Sequence, residues 1–277
     1  MQNNLNITFI GGGNMATALL GGLANKLTAA ANIHVVDLDR ETLDKLQRNF
    51  GVTIATKIDA DDKKIENSDV IVLAVKPQQM KEVATQLRPY VKGQLILSIA
   101  AGIRAADLSR WLNGHTAIVR TMPNTPSLIG KGVTGMVAMA GVSAAQREVA
   151  DAILCAVGET VWLDDEALID SVTAVSGSGP AYLFYLLEAM QQAAQELGLS
   201  AEQGNALALS TVVGAAQLAA QSADPAAILR ERVTSKGGTT HAAISSMEAS
   251  GVKQAIITAM KAAAARGNEL GEEFGRD

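Results

Sequence analysis

The chain has 277 residues, 48% hydrophobic and only 3% aromatic, enough for one large domain or two ordinary ones with cores of Ala, Val, Ile and Leu. With 23 basic and 28 acidic residues its net charge is −5, and no basic run exceeds two residues, which argues against nucleic acid as a partner. A single cysteine, Cys155, excludes an internal disulfide, and three scattered histidines offer no metal-ligand spacing.

The first residues show no basic region and no cleavage signature, so no signal peptide is expected and a cytoplasmic protein is. Strands are predicted at 6–10, 33–37, 70–75, 95–100, 117–122, 133–139 and 160–164, with helical patterns such as 16–26 and 40–50 between them. Several of these strands are apolar without alternation, as strands covered on both faces are. The alternation predicts an α/β fold. A Rossmann-type, doubly wound, mainly parallel sheet would occupy residues 1–165 and bind a dinucleotide. Cys155, in the apolar run AILCAVG, reads as a buried small hydrophobe. From about Leu168 the strand signal stops. Helices are predicted at 181–199, 201–221 and 252–274, rich in small residues that allow close packing. They predict an all-helical domain over 166–277 suited to dimerisation. The uncharged run 203–223 carries Gln, Asn and hydroxyl residues and reads as a buried helix, not a membrane span.

Four stretches carry chemistry. In ITFIGGGNMATALLGGL (7–23) a strand, a glycine turn and a helix follow one another, with G-x-G-x-x-A at Gly11, Gly13 and Ala16. Gly11 permits the turn, Gly13 lets a pyrophosphate approach the backbone, and Ala16 lets the helix sit close to the strand. The pyrophosphate would meet the helix N-terminus, placing Ile10, Gly12, Asn14 and Met15 beside the cofactor. Asp37 ends the second strand, where an acid accepts from ribose hydroxyls and repels a 2′-phosphate, which leans toward NADH. Arg40 could reach a 2′-phosphate instead, and NADPH stays open. Asp37 could also simply cap the next helix.

The second stretch, VIVLAVKPQQM (70–80), turns at Ala74, Val75, Lys76 and Pro77, where strand ends of an open sheet line the ligand crevice. LILSIAAGI (95–103) and VRTMPNTP (119–126) end their strands the same way, the latter presenting Asn124 and Thr125 between two prolines. In the third, VSGSGPAYLFYLLEAM (175–190), Ser178 reads as a cap and Pro180 as a first-turn residue of a long helix. The fourth, VTSKGGTTHAAI (233–244), sets Ser235, Gly237, Gly238, Thr239 and Thr240 before a helical pattern. Successive N–H groups and hydroxyls there suit a small anion such as a substrate carboxylate.

The set GGGNMA, AVKP, SIAAG, MPNTP, SGSGPAY and VTSKGGTTHAAISSME resembles pyrroline-5-carboxylate reductase, in order, from residue 7 to about 270. The last motif is the most specific. The resemblance implies hydride transfer from NAD(P)H to the C=N bond of 1-pyrroline-5-carboxylate, giving L-proline in the last step of its biosynthesis. It implies a homodimer through the helical domain, with further assembly open, and a substrate site at the dimer interface. Thr240 would bond the ring nitrogen, Ser235, Gly238 and Thr239 would hold the carboxylate, and Ala74 to Pro77 with Ile99, Ala100 and Ala101 would line the cofactor. The chain departs from the pattern where many relatives carry Pro (here Lys236), where some carry Asn (Arg232), and where Ser or Asn is frequent (Asp37). His241 beside Thr240 reads as a packed or solvated helix residue, not a general acid. Rival readings are a related two-domain imine or β-hydroxyacid reductase, whose catalytic lysine on the long helix is missing from 181–199, and a non-catalytic dinucleotide-binding protein.

Overall fold

A computed structural model describes residues 4–59 and 63–276. It divides into two compact units: one runs through Ser178 and takes in the chain again from Ala263, and the other is Gly179–Ala262.

The first unit holds one sheet: β1 (Ile7–Ile10), β2 (Ile33–Val36), β3 (Thr53–Ala55), β4 (Val70–Leu73), β5 (Leu95–Ser98), β6 (Ile118–Met122), β7 (Gly132–Ala138) and β8 (Gly158–Trp162). Their spatial order is β3-β2-β1-β4-β5-β6-β7-β8. β1 to β6 are parallel, β7 is antiparallel to β6, and β8 is parallel to β7. The order reverses between β1 and β4, which makes their carboxyl ends the switch point of a doubly wound sheet. The short β3 has no counterpart among the predicted strands. Three half-buried residues at a sheet edge are too few to show a period.

Helices of this unit are α1 (Asn14–Leu23), α2 (Arg40–Phe50), α3 (Lys63–Glu66), α4 (Met80–Leu87), α5 (Ala105–Trp111), α6 (Ala144–Cys155) and α7 (Leu168–Val172). Alternate strand residues face opposite sides. Ile7 and Phe9 therefore pack with Leu19, Leu20, Leu43 and Leu46 from α1 and α2. Ile10, Ile71 and Leu73 pack with Met80, Leu87, Leu108 and Trp111 from α4 and α5. Both faces are covered, which is why the strands read as unbroken apolar runs. Each fully buried aliphatic side chain contributes about 1.5–3 kcal/mol, so α1 is held by its buried Leu19, Leu20 and Leu23 rather than by caps.

Cys155 corrects the reading of its run. It is exposed at the last position of α6, while Ile153, Leu154 and Val157 take the buried places.

The second unit is helical: α8 (Gly179–Glu196), α9 (Ala201–Gln221), α10 (Ala226–Arg232), α11 (Thr239–Ala249) and the start of α12 (Val252–Gly275). α8 and α9 form a hairpin. Gly198, at φ +94°, turns the chain, and Ser200 opens α9 with a reciprocal Ser200–Gln203 capping box. Gly204 lets α9 close on α8, with the Ala194 methyl 2.9 Å from where a Cβ would stand. Little else of this unit is buried. Phe184 is 61% exposed, Tyr185 76%, Leu207 57% and Leu218 60%. No helix among the described residues is long and apolar enough to cross a membrane.

The last turns of α12, from Ala263 on, belong to the first unit and pack within it through Gly267, Gly271 and Gly275. Their missing side chains admit Asp170, Arg104 and Asp107, and Arg110 Nη2 donates to the Gly275 carbonyl at 2.8 Å. The small-residue pattern of 252–274 thus serves packing within the chain at its far end.

Candidate functional site

β1 ends at Ile10 and turns at Gly11, whose N–H donates to the Val36 carbonyl at 2.8 Å, while Ala74 N–H donates back to Ile10. Gly11 sits at φ +104°, and a Cβ there would lie 2.6 Å from the Ala74 carbonyl oxygen. Only glycine meets both demands. Gly12 is crowded by Leu46 and Thr42, whereas a Cβ on Gly13 would meet nothing within 4 Å. Gly13 is the N-cap of α1 and gives it no side-chain cap, so the first-turn N–H groups face the exposed Gly13–Asn14 surface. An uncapped helix start beside an open glycine fits a dinucleotide pyrophosphate.

The carboxyl ends of β1, β2 and β4 enclose a crevice of about 290 Å3. Of the residues singled out in the sequence, Ile10, Gly11, Asp37 and Val75 line it. Val36 at the end of β2 lines it too, and Leu38, Asp39, Lys57, Ile58, Gln79, Glu82, Val83 and Gln86 complete it. Those eight come from the loops after β2 and β3, from the 3-10 turn before α4 and from α4 itself. Only the rule that open sheets bind at their carboxyl ends, applied to an assembled sheet, selects them. A recess of about 360 Å3 opens at the opposite, amino ends of the strands, beside Asn6, Thr8 and His34. By the same rule it is not the candidate.

Asp37 accepts from Gly12 N–H at 2.6 Å and from Asp39 N–H at 2.8 Å. It pins the glycine turn to the end of β2 and still has lone pairs for ribose hydroxyls. The helix cap is Asp39, which accepts from Glu41 N–H and from the Thr42 hydroxyl. Those two bonds, the Thr42 hydroxyl first, hold its carboxyl below the ordinary value, so the cap is ionised at neutral pH. Arg40 pairs with Asp44 at 2.9 Å on the exposed face of α2, and Lys57 pairs with Asp59 at 2.9 Å.

The other cofactor-side residues lie nearby without lining the crevice. Ala74, Lys76 and Pro77 follow β4, Pro77 starting a 3-10 turn. Ile99, Ala100 and Ala101 follow β5, with the Ala100 side chain in the core. Asn14 and Met15 open α1. Asn124 is 8% exposed, and its amide is engaged by the protein on both sides: Nδ2 donates to the Ser176 carbonyl at 3.2 Å, and Oδ1 accepts from Val133 N–H at 3.0 Å. These two bonds give it a structural task.

In the second unit, Ser235 to Gly238 form a turn closed by Gly238 N–H donating to the Ser235 carbonyl at 3.0 Å, with Gly237 third at φ +75°. A positive φ at that position defines a type II turn, whose second position, here Lys236, also suits proline. Gly238 then caps α11 without a side chain, which leaves the N–H groups of Thr239, Thr240 and His241 without helical partners. Arg232 is held by Asp224 at 2.5 Å. No cluster that could hold a metal ion exists among the described residues.

A family model described as pyrroline-5-carboxylate reductase dimerisation matches residues 166–270, and one described as NADP oxidoreductase, coenzyme F420-dependent, matches residues 6–102. The pyrroline-5-carboxylate reductase of Pseudomonas aeruginosa is 48% identical over 271 residues, 98% of each chain. The chain belongs to the pyrroline-5-carboxylate reductase family. The family's structures agree. The reductase of Coxiella burnetii matches at 40% identity with a TM-score of 0.89, over 97% of this chain and 99% of that one. The Plasmodium falciparum enzyme, solved with NADP bound, matches at 27% with a TM-score of 0.85, over 98% of this chain and all of that one.

Proposed function

We propose that the chain reduces 1-pyrroline-5-carboxylate to L-proline with a nicotinamide dinucleotide, and that it works as a homodimer. The observation that carries the reading is the occurrence in one family member of two separate anion-ready helix starts, α1 at Gly13 and α11 at Gly238. One suits a pyrophosphate and the other a carboxylate. The division of labour follows: residues 1–165 hold the cofactor and 166–277 hold the substrate and the second subunit. The apolar side chains exposed on α8 and α9 support dimerisation, since surface of that kind marks an interface.

When bound, the dinucleotide supplies the hydride. Gly11, Gly12, Gly13, Asn14 and Met15 would hold its pyrophosphate end, Asp37 its adenosine ribose, and Ala74 to Pro77 with Ile99 to Ala101 the remainder. Ser235, Gly237, Gly238 and Thr239 would take the substrate carboxylate, and the Thr240 hydroxyl would orient the ring nitrogen. A cyclic imine is basic and arrives protonated, so orientation is the chain's main contribution, worth roughly 7–11 kcal/mol for ideally placed reactants. Thr240→Ala should therefore lower turnover about tenfold or more while NADH affinity stays within about twofold. Steady-state kinetics beside NADH fluorescence titration checks this, and unchanged turnover would remove Thr240 from the reaction.

We further infer a preference for NADH. Asp37, Asp39 and Glu82 make the crevice acidic, while Arg40 and Lys57 are already paired with Asp44 and Asp59. A 2′-phosphate would meet like charge there. Asp37→Ser should raise the ratio of kcat/KM for NADPH to that for NADH about tenfold or more. An unchanged ratio would place selection elsewhere.

A further inference from the structure

Pro180 is the second residue of α8, in its first turn as the sequence indicates, but the residues ahead of it are helical too. Between α7 and α8 the backbone stays helical through a π segment, Thr173–Gly177, with Ser178 in the right-handed helical region. Ser178 thus lacks the extended backbone usual for an N-cap. A proline that follows a helical segment has no N–H to offer the carbonyl four residues back. Here the carbonyl is that of Ser176. It accepts from Asn124 Nδ2 at 3.2 Å. Ser178 N–H reaches back five residues to the Thr173 carbonyl at 2.8 Å, the wider turn of a π segment. That segment lies close to the end of β6, since a Cβ on Gly177 would stand 2.6 Å from Met122 Cε.

We propose that Asn124 is a positioning residue for the reaction. It serves the carbonyl that Pro180 cannot, and so holds the π segment against the carboxyl end of β6. One amide joins three elements: the loop after β6, the Val133 N–H at the start of β7, and the π segment. The same loop continues into the 3-10 turn Thr125–Ile129, on which α1 packs, so the glycine turn and the π segment share a support. Strand ends of this kind carry the reacting end of a bound dinucleotide in open sheets. The residue acts behind that surface and not on the adenosine crevice, which it does not line. Only the kinetic arm of the test rests on the reductase reading.

The test uses Asn124→Asp, which keeps an oxygen for Val133 N–H and removes the donor to Ser176, beside Asn124→Ala, Pro180→Ala and the double variants. Asn124→Asp is expected to lower Tm by about 4 °C, and Asn124→Ala to have less than half its own effect once Pro180→Ala supplies an N–H at that position. Additive shifts would overturn the pairing of Asn124 with Pro180. In kinetics, Asn124→Asp should lower kcat about tenfold with NADH Kd within about twofold. Unchanged kcat, or NADH affinity lost in step with kcat, would overturn the positioning role, the second by making Asn124 a cofactor contact. If Asn124→Ala does not fold, Asn124→Asp with and without Pro180→Ala carries both arms. Wild-type protein without imine-dependent oxidation of either NADH or NADPH would refute the reductase reading, while the stability cycle, which needs no substrate, still decides the pairing.

Discussion

Glu166→Ala is expected to cost about 3–5 kcal/mol of folding stability, a large part of the roughly 5–15 kcal/mol that holds a protein folded. Arg120 lies on β6 with its side chain 4% exposed. Its guanidinium meets Glu166 Oε1 at 2.8 Å and Asp170 Oδ1 at 3.8 Å. The same Glu166 oxygen accepts from Ala105 N–H, at the start of α5, at 2.7 Å. Removing the carboxylate strands a buried cation with only the longer contact, and it leaves the α5 start without its acceptor. The asymmetry gives a control. Arg120→Met together with Glu166→Ala removes the charge as well as its partner, and should be more stable than Glu166→Ala alone. Urea unfolding of the three proteins measures this. A double variant that falls below the single one would show that desolvation of the guanidinium is not what the pair offsets.

Gly11→Ala and Gly13→Ala should separate folding from binding. At Gly11 a methyl group would need φ +104° and would stand 2.6 Å and 2.7 Å from the carbonyl oxygen and carbon of Ala74 and 2.9 Å from Val75 N. These are backbone atoms at the end of a central strand, tied to Ile10 and unable to swing aside. Strain of about 1–3 kcal/mol is the minimum, with displacement of the nucleotide cradle added to it. Gly11→Ala should therefore lose thermal stability and dinucleotide binding together. Gly13 has φ −68°, and a methyl group there meets no protein atom within 4 Å. Gly13→Ala should keep Tm within about 1 °C while raising the NADH Kd about tenfold, because the only thing that methyl can obstruct is a ligand at the start of α1. Calorimetry and NADH titration on both proteins distinguish the cases. Wild-type affinity in Gly13→Ala would mean that the pyrophosphate does not approach at that position.

The elements that could be read in advance are those whose signal lies within a few neighbouring residues. α2 and α9 fall at 40–50 and 201–221 as the helical patterning indicates, while their capping oxygens come from Asp39, not Asp37, and from Ser200. The apolar strands and the glycine turn are local signals of the same kind. β3 carried too little sequence to register, and Cys155 shared an apolar run while pointing outward at the end of its helix. The crevice was half legible. Asp37 could be placed by its spacing from the glycine turn, but Lys57, Ile58, Glu82 and Gln86 come together only when β2, β3 and β4 lie side by side.

The sequence by itself determined the switch-point sheet, the glycine turn at Gly11, the helical half of the chain and, through its late glycine–threonine motif, the family. Each rests on local spacing, turn chemistry or patterning, which the chain carries wherever it folds. The tertiary structure alone decided what the polar side chains do. It turned Asn124 toward Ser176, paired Arg40 with Asp44, set Gly267, Gly271 and Gly275 against Asp170, Arg104 and Asp107, and put a π segment ahead of Pro180. These partners are separated by up to a hundred residues and more along the chain, and a side chain's hydrogen-bonding capacity does not name its partner. Packing, which leaves few buried polar groups unpaired, chooses it.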